Sequence, residues 1–189
     1  MLSCLVGSEM CIRDRLSGDP FGLGTQDNFN VSPGQNMPVK TVDCDGQSMK
    51  WGLKTDWQES KPLINARSET YKQKKTFSKC KRCIVPYTGW IEWAVENNQK
   101  QPYLLYSDKA YFAGLYDNSG FTILTKEANS NISHIHNRQP VLLDKYDIGL
   151  WFMGDYDLSK TNELIRYHKI SKSINKPENN SREYLSEVE

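Results

Sequence analysis

The sequence predicts an α+β domain with a strand-dominated antiparallel core, built from twisted sheets or an open barrel and carrying a few short helices. Three observations support that class. Between residues 83 and 125, β-branched and aromatic runs recur about every 10 residues, separated by turn text. Helix-type patterning is confined to short stretches on either side of this region. The chain of 189 residues holds enough Trp (5), Tyr (10) and Phe (6) to bury one core, and it is too short for two comfortable domains.

In chain order, residues 1–15 (MLSCLVGSEMCIRDR) lack the cationic and apolar regions of a signal peptide, because Glu9 interrupts the apolar run. They read as an artefactual segment standing in place of the natural start. The domain is expected over residues 16–175, followed by a frayed tail at 176–189. Leu16 to Pro38 is rich in Gly, Asp, Asn and Pro, which makes it loop with one short strand near Phe29–Val31. Strands follow at Val39–Val42 and Ser48–Leu53, around the turn Cys44-Asp45-Gly46. Residues 66–82 predict one or two short helices.

The strand runs then come in sequence: Cys83–Pro86, Trp90–Val95, Tyr103–Tyr106, Tyr111–Tyr116 and Phe121–Thr125. Their turns carry Thr88-Gly89, Asn97-Asn98, Ser107-Asp108 and Ser119-Gly120, so the five are expected to form an antiparallel meander. Asp144 and Ser159 are the expected N-caps of two late helices, ahead of a last strand near Tyr167–Ile170.

Composition narrows the function classes. Lys+Arg (24) nearly balances Asp+Glu (23), and no apolar run reaches the roughly 18–20 residues of a membrane span. Five cysteines, an odd number without disulfide-like spacing, favour a reducing compartment. Local charge says more. Lys61 to Arg82 holds eight basic residues against one acid, Glu69, with Trp51 and Trp57 just ahead of it. Cations beside aromatic rings suit single-stranded nucleic acid, although such a run is more often a solvated face.

Several residues invite chemistry. Cys80-Lys81-Arg82-Cys83 has metal spacing but no second ligand pair, so Cys83 reads as a buried small hydrophobe and no metal site is expected. His134-Ile135-His136 would place two imidazoles on one face if extended, and a single structural or catalytic histidine fits it better than a metal pair. Glu92 lies in Trp90-Ile91-Glu92-Trp93. Alternation permits it a solvent-facing position, while the flanking indoles favour a buried acid–base group. Asn65, just after Pro62-Leu63-Ile64, reads on spacing alone as a helix N-cap with Glu69 as its partner. Neither a phosphate loop nor a nucleophile elbow is present.

Taken together, the motifs resemble the SOS-response-associated peptidase (SRAP) family. They run through Phe29-Asn30-Val31-Ser32-Pro33-Gly34, Met49-Lys50-Trp51-Gly52-Leu53, Asn65-Ala66-Arg67-Ser68-Glu69-Thr70, Arg82-Cys83-Ile84-Val85-Pro86 and Gly89-Trp90-Ile91-Glu92-Trp93. Gln101-Pro102-Tyr103, Phe112-Ala113-Gly114-Leu115, Thr125-Lys126-Glu127-Ala128-Asn129 and Ile135-His136-Asn137-Arg138-Gln139-Pro140 continue the order.

The resemblance implies a monomeric, cofactor-free protein of the cytoplasm, associated with damaged DNA in the nucleoid. It would bind single-stranded DNA and form a thiazolidine crosslink with abasic sites through an N-terminal cysteine, exposed by self-removal of Met. That self-processing is the autoproteolytic peptidase activity, and the crosslinking is lyase-like. By the same resemblance Asn65, Glu92 and His136 are catalytic, Arg67 and Arg138 hold phosphates, and Asn30 and Trp57 line the DNA channel.

The family start Met-Cys-Gly-Arg is absent. Met10-Cys11-Ile12-Arg13 imitates its spacing only 19 positions before Asn30, and the chain as written is expected to lack the nucleophile. Asn137 stands where the family usually has Asp. The competing readings are a non-covalent single-stranded DNA-binding module and a peptidase acting on other proteins.

Overall fold

The computed structural model describes residues 3–6, 21–24, 26–55, 61–160 and 163–189, which form two mainly antiparallel sheets. The strands are β1 (Ser3–Val6), β2 (Asn28–Val31), β3 (Asn36–Thr41), β4 (Gln47–Lys50), β5 (Asn65–Arg67), β6 (Lys81–Pro86), β7 (Gly89–Glu96) and β8 (Gln99–Ser107). They continue with β9 (Tyr111–Asp117), β10 (Gly120–Glu127), β11 (Arg138–Pro140), β12 (Leu142–Leu143) and β13 (Ile165–Lys169). One α-helix, α1 (Asp147–Met153), and four short 3-10 turns complete the described chain.

The five predicted strands are all present, and their partners differ from a meander. β7 and β8 form a hairpin across Asn97-Asn98, both with positive φ (49° and 59°), as a tight two-residue turn requires. β9 and β10 form a second hairpin. β6, however, pairs with β9 and not with β7. The chain therefore changes sheets at Tyr87, whose ring stacks on Phe112 at 3.9 Å and meets Trp90 edge-on. One sheet has the order β13-β8-β7-β1-β2, and the other runs β11-β10-β9-β6-β3-β4 with β12 on β9 and β5 on β10. The main core lies among Trp51, Val85, Trp90, Leu105, Phe112 and Phe121, all fully buried.

Three further expectations change. Residues 3–6, assigned to a segment foreign to the domain, form β1 and pair with both β2 and β7. Their Cys-Leu-Val run is β-prone and satisfies the free edge of β7. Asp144 caps as expected, its carboxylate accepting from the N–H groups of Tyr146 and Asp147 ahead of α1. At Ser159 there is a turn among the described residues and no helix, because Asp157 engages both the N–H and the hydroxyl of Ser159 locally. The helix that does form ends at Gly154 (φ 93°), whose N–H reaches the Leu150 and Trp151 carbonyls.

The C-terminal segment is docked, not frayed. Ile170, Ile174 and Leu185 are buried against Ile91 and Leu104, with Trp93 and Phe29 packed alongside. Asn30 holds this segment: its amide donates to the carbonyls of Ile174 (2.9 Å), Lys176 (3.1 Å) and Asn179 (3.3 Å). The Trp93 indole adds a bond to Asn175 at 2.7 Å. Replacing Asn30 with Ala is expected to cost about 1–3 kcal/mol in urea unfolding and to raise hydrogen exchange at residues 174–179, because buried carbonyls lose their donor. Unchanged stability with weakened DNA binding would instead return Asn30 to a channel role.

Candidate functional site

A cavity of about 230 Å³ is lined by Asn65, Arg67, Glu92, Thr125, His136, Arg138 and Gln139. It forms where β10 passes between β5 and β11. β5 runs parallel to β10 with Thr125 opposite Arg67, and β11 pairs antiparallel with Glu127 opposite Arg138. Asn65 and Arg67 alternate outward from the buried Ala66, so strand geometry puts both side chains on one face. Asn65 is thus a strand residue and not a helix cap. The first 3-10 turn begins only at Tyr71, with Thr70 before it and no side-chain cap bond.

Glu92 is the most constrained group of the site. On β7, Trp90 and Ala94 share its face toward the main core, while Ile91 and Trp93 face the docked C-terminal segment. Both faces of the strand are covered, and Glu92 is only 3% exposed. Burial pushes its carboxyl up to about 8, so it holds a proton at neutral pH. His136 Nδ1 lies 3.9 Å from the Glu92 carboxyl.

His136 sits at the end of a loop pinned into the core by Ile132 and Ile135, with its own N–H donating to the Ile132 carbonyl. Its Nδ1 is 3.2 Å from the Arg138 N–H and 3.0 Å from the Arg138 carbonyl. The N–H can serve an unprotonated Nδ1 and the carbonyl a protonated one, so this nitrogen has a backbone partner in either state. The loop is not extended, and the two imidazoles part company: His134 is exposed and meets the Tyr167 ring at 5.4 Å.

Arg138 grips Glu69 with both arms, at 2.8 and 2.9 Å, and also donates to the Thr125 carbonyl at 2.6 Å. That bond holds the Glu69 carboxyl below the usual range. Arg67 has no ion pair among the described residues and is exposed at the cavity edge.

The structure therefore brings together five of the residues singled out from sequence: Asn65, Arg67, Glu92, His136 and Arg138. Asn30 is not among them, being buried beneath the C-terminal segment, and Trp57 lies outside the described residues, as does Cys11. Thr125 and Gln139 belong to the lining and were not foreseen individually, although both fall inside motifs that carried the resemblance. Arg82, counted with the basic run, is occupied over the Trp151 ring and at the Phe152 carbonyl. Cys83 is fully buried and its thiol is pushed well up by burial, which removes it from nucleophilic or metal chemistry. No metal-ligating cluster of His, Cys, Asp and Glu occurs among the described residues.

Comparison with known proteins identifies the family. The model of the SOS response associated peptidase (SRAP) family matches residues 12–177. The abasic site processing protein YoaM of Bacillus subtilis is 30% identical, over 85% of this chain and 85% of its own. The abasic site processing protein HMCES of Xenopus tropicalis is 28% identical, over 86% of this chain and 67% of its own. Among solved structures, a protein from Bacteroides thetaiotaomicron superposes with a TM-score of 0.72 at 25% identity, covering 85% of each chain. A phage-related protein from Bordetella bronchiseptica shares the fold, with a TM-score of 0.66 at 22% identity over 90% of this chain and 94% of its own. With its motifs, two-sheet fold and matched family model in agreement, this chain belongs to the SOS response associated peptidase (SRAP) family.

Proposed function

We propose that this protein captures abasic sites in single-stranded DNA as a covalent thiazolidine, using an N-terminal cysteine whose α-amine is freed by removal of Met. The observation that carries the reading is the small cavity in which a buried Glu92 stands 3.9 Å from His136, with two arginines at its edge. An abasic deoxyribose in its open form presents an aldehyde and no base. The cysteine amine adds to the aldehyde carbon. Glu92 gives its proton to the hydroxyl that leaves as water, and its carboxylate takes the proton from the nitrogen of the resulting iminium to leave an imine. The thiol then adds across the imine, sulfur to carbon and proton to nitrogen, closing the ring. His136 relays protons at the sugar, Asn65 orients the amine and the ring, and Arg67 and Arg138 hold the flanking phosphates.

The sheet supports this placement. β1 lies beside β7 with Ser3 opposite Ile91, the neighbour of Glu92, and Leu5 opposite Gly89, so the N-terminal end of a strand in this position points toward the acid. The protein is proposed to act as a monomer on damaged DNA inside the cell. Among the described residues no helix is long and apolar enough to cross a membrane.

The test is incubation with an abasic single-stranded oligonucleotide followed by a denaturing gel. A chain restored to a Met-Cys-Gly-Arg start should give a shifted band, while the same chain with that cysteine changed to serine should bind without one. If the restored chain also gives none, a non-covalent DNA-binding module is the reading that survives.

In the restored chain, Glu92→Gln should slow Met removal and crosslink reversal by about 10²–10⁴-fold while DNA affinity changes little. Equal loss of affinity and rate would mean that the fold has been disturbed. Arg67→Ala should weaken DNA binding and flatten its salt dependence by roughly 0.7 in log K against log salt, the contribution of one single-strand phosphate contact. A slope equal to that of the parent protein would remove Arg67 from the phosphate path.

A further inference from the structure

Glu69 is the only acid in a basic stretch of eight cations, and it stands where it would be expected to repel DNA. Its position in the fold explains its presence. It follows β5 by two residues and reaches across β10 to Arg138 on β11, so the pair spans three strands at the cavity wall. The Thr125 carbonyl on β10 sits at the centre of the span, accepting from Arg138 at 2.6 Å and from the Ser68 N–H at 2.8 Å. An isolated surface ion pair contributes little, but a bidentate fork tied to a backbone carbonyl fixes the plane of the guanidinium.

Resting on the proposed function, we infer that Glu69 is a positioning residue: it locks Arg138 across β10 in one orientation, as a preset anchor for the DNA backbone. The two arginines then have different roles. Arg67, without an ion pair among the described residues, is an exposed cation that has its side chain still to order, whereas Arg138 loses little rotamer freedom when a phosphate arrives. Glu69 and the Thr125 carbonyl take up Nη2 and one N–H of Nη1, the Nε–H is buried and without a partner among the described residues, and the remaining N–H of Nη1 is the donor left for a phosphate. The contrary role for Glu69 is competition, in which it masks Arg138 until a phosphate displaces it. The two roles predict opposite effects when the charge is kept and only the reach is shortened.

Glu69→Asp makes that change in the full chain. Two measurements are made: the Arg138 Nε–H signal in ¹H–¹⁵N spectra of the DNA-free protein, and anisotropy of a labelled abasic single-stranded oligonucleotide. The fork predicts a sharp, protected Arg138 signal in the parent protein. That signal should disappear in Glu69→Asp and Glu69→Gln, with oligonucleotide binding about 3–10-fold weaker in Glu69→Asp. On an Arg138→Lys background, Glu69→Asp should add no further loss, because a lysine has no fork to orient. Retention of the Arg138 signal and of parental affinity in Glu69→Asp would overturn the inference, and tighter binding in that variant would establish competition instead. If the parent protein itself fails to bind the oligonucleotide, the proposed function fails, and the Arg138 signal alone still decides whether Glu69 sets that side chain.

Discussion

Burial of one carboxyl group, that of Glu92, is the constraint around which the rest of the site is arranged. On the solvent-facing side of a strand this residue would be ionised. Here β7 is covered on both sides: Trp90 and Ala94 point with Glu92 into the main core, and Ile91 and Trp93 meet the C-terminal segment. The resulting loss of hydration raises the carboxyl to about 8. The linkage has a definite sign. Because the folded value lies above the ordinary one of 4.5, this group favours the fold fully below that value, and the contribution is lost as pH rises through about 8. The protein accepts this alkaline liability in return for an acid that still holds its proton at neutral pH.

The docked tail covers the opposite face of the same strand. Asn30 ties three carbonyls of residues 174–179 to β2, and the segment so held closes the far face of β7. On the near side, β10 gathers the remaining groups. β5 brings Asn65 and Arg67 to one flank and β11 brings Arg138 to the other, while the loop before β11, pinned by Ile132 and Ile135, delivers His136. These groups come from four separate parts of the chain, so their convergence depends on strand register and on no local motif.

Much of this was readable from the sequence, for identifiable reasons. Strand existence follows from local alternation and turn chemistry, and Asn97-Asn98 and Ser119-Gly120 punctuate where they should. Partner choice was not readable, because alternation is the same whether β6 pairs with β7 or, as it does, with β9. Asn65 has the local look of a helix cap and becomes a strand residue only because β10 offers it a parallel partner. Residues 176–189 read as frayed because their few apolar residues, Tyr184 and Leu185 among them, are too sparse to show a period, yet Leu185 is buried with Ile91 and Leu104 and Tyr184 packs alongside. Asn30, expected in the DNA channel, donates instead to three carbonyls of the C-terminal segment, a use of the amide that the sequence does not distinguish from a DNA contact. Thr125 stands out in the sequence only as part of a motif, and Glu69 only as a capping partner and the one acid of a basic run. Their significance appears only once β5, β10 and β11 are side by side.

The account stands most directly on the protonation state of Glu92, which can be observed without substrate. Carbon-13 labelling of the glutamate side-chain carboxyl, with Glu92→Gln to assign the resonance, allows its titration to be followed across the pH range in which the fold persists. A carboxyl that remains protonated at pH 7 and ionises near pH 8 is the result the account predicts. A midpoint near the ordinary 4.5 would contradict it, and Glu92 would then be a charged group at rest, unable to donate the proton that imine formation needs.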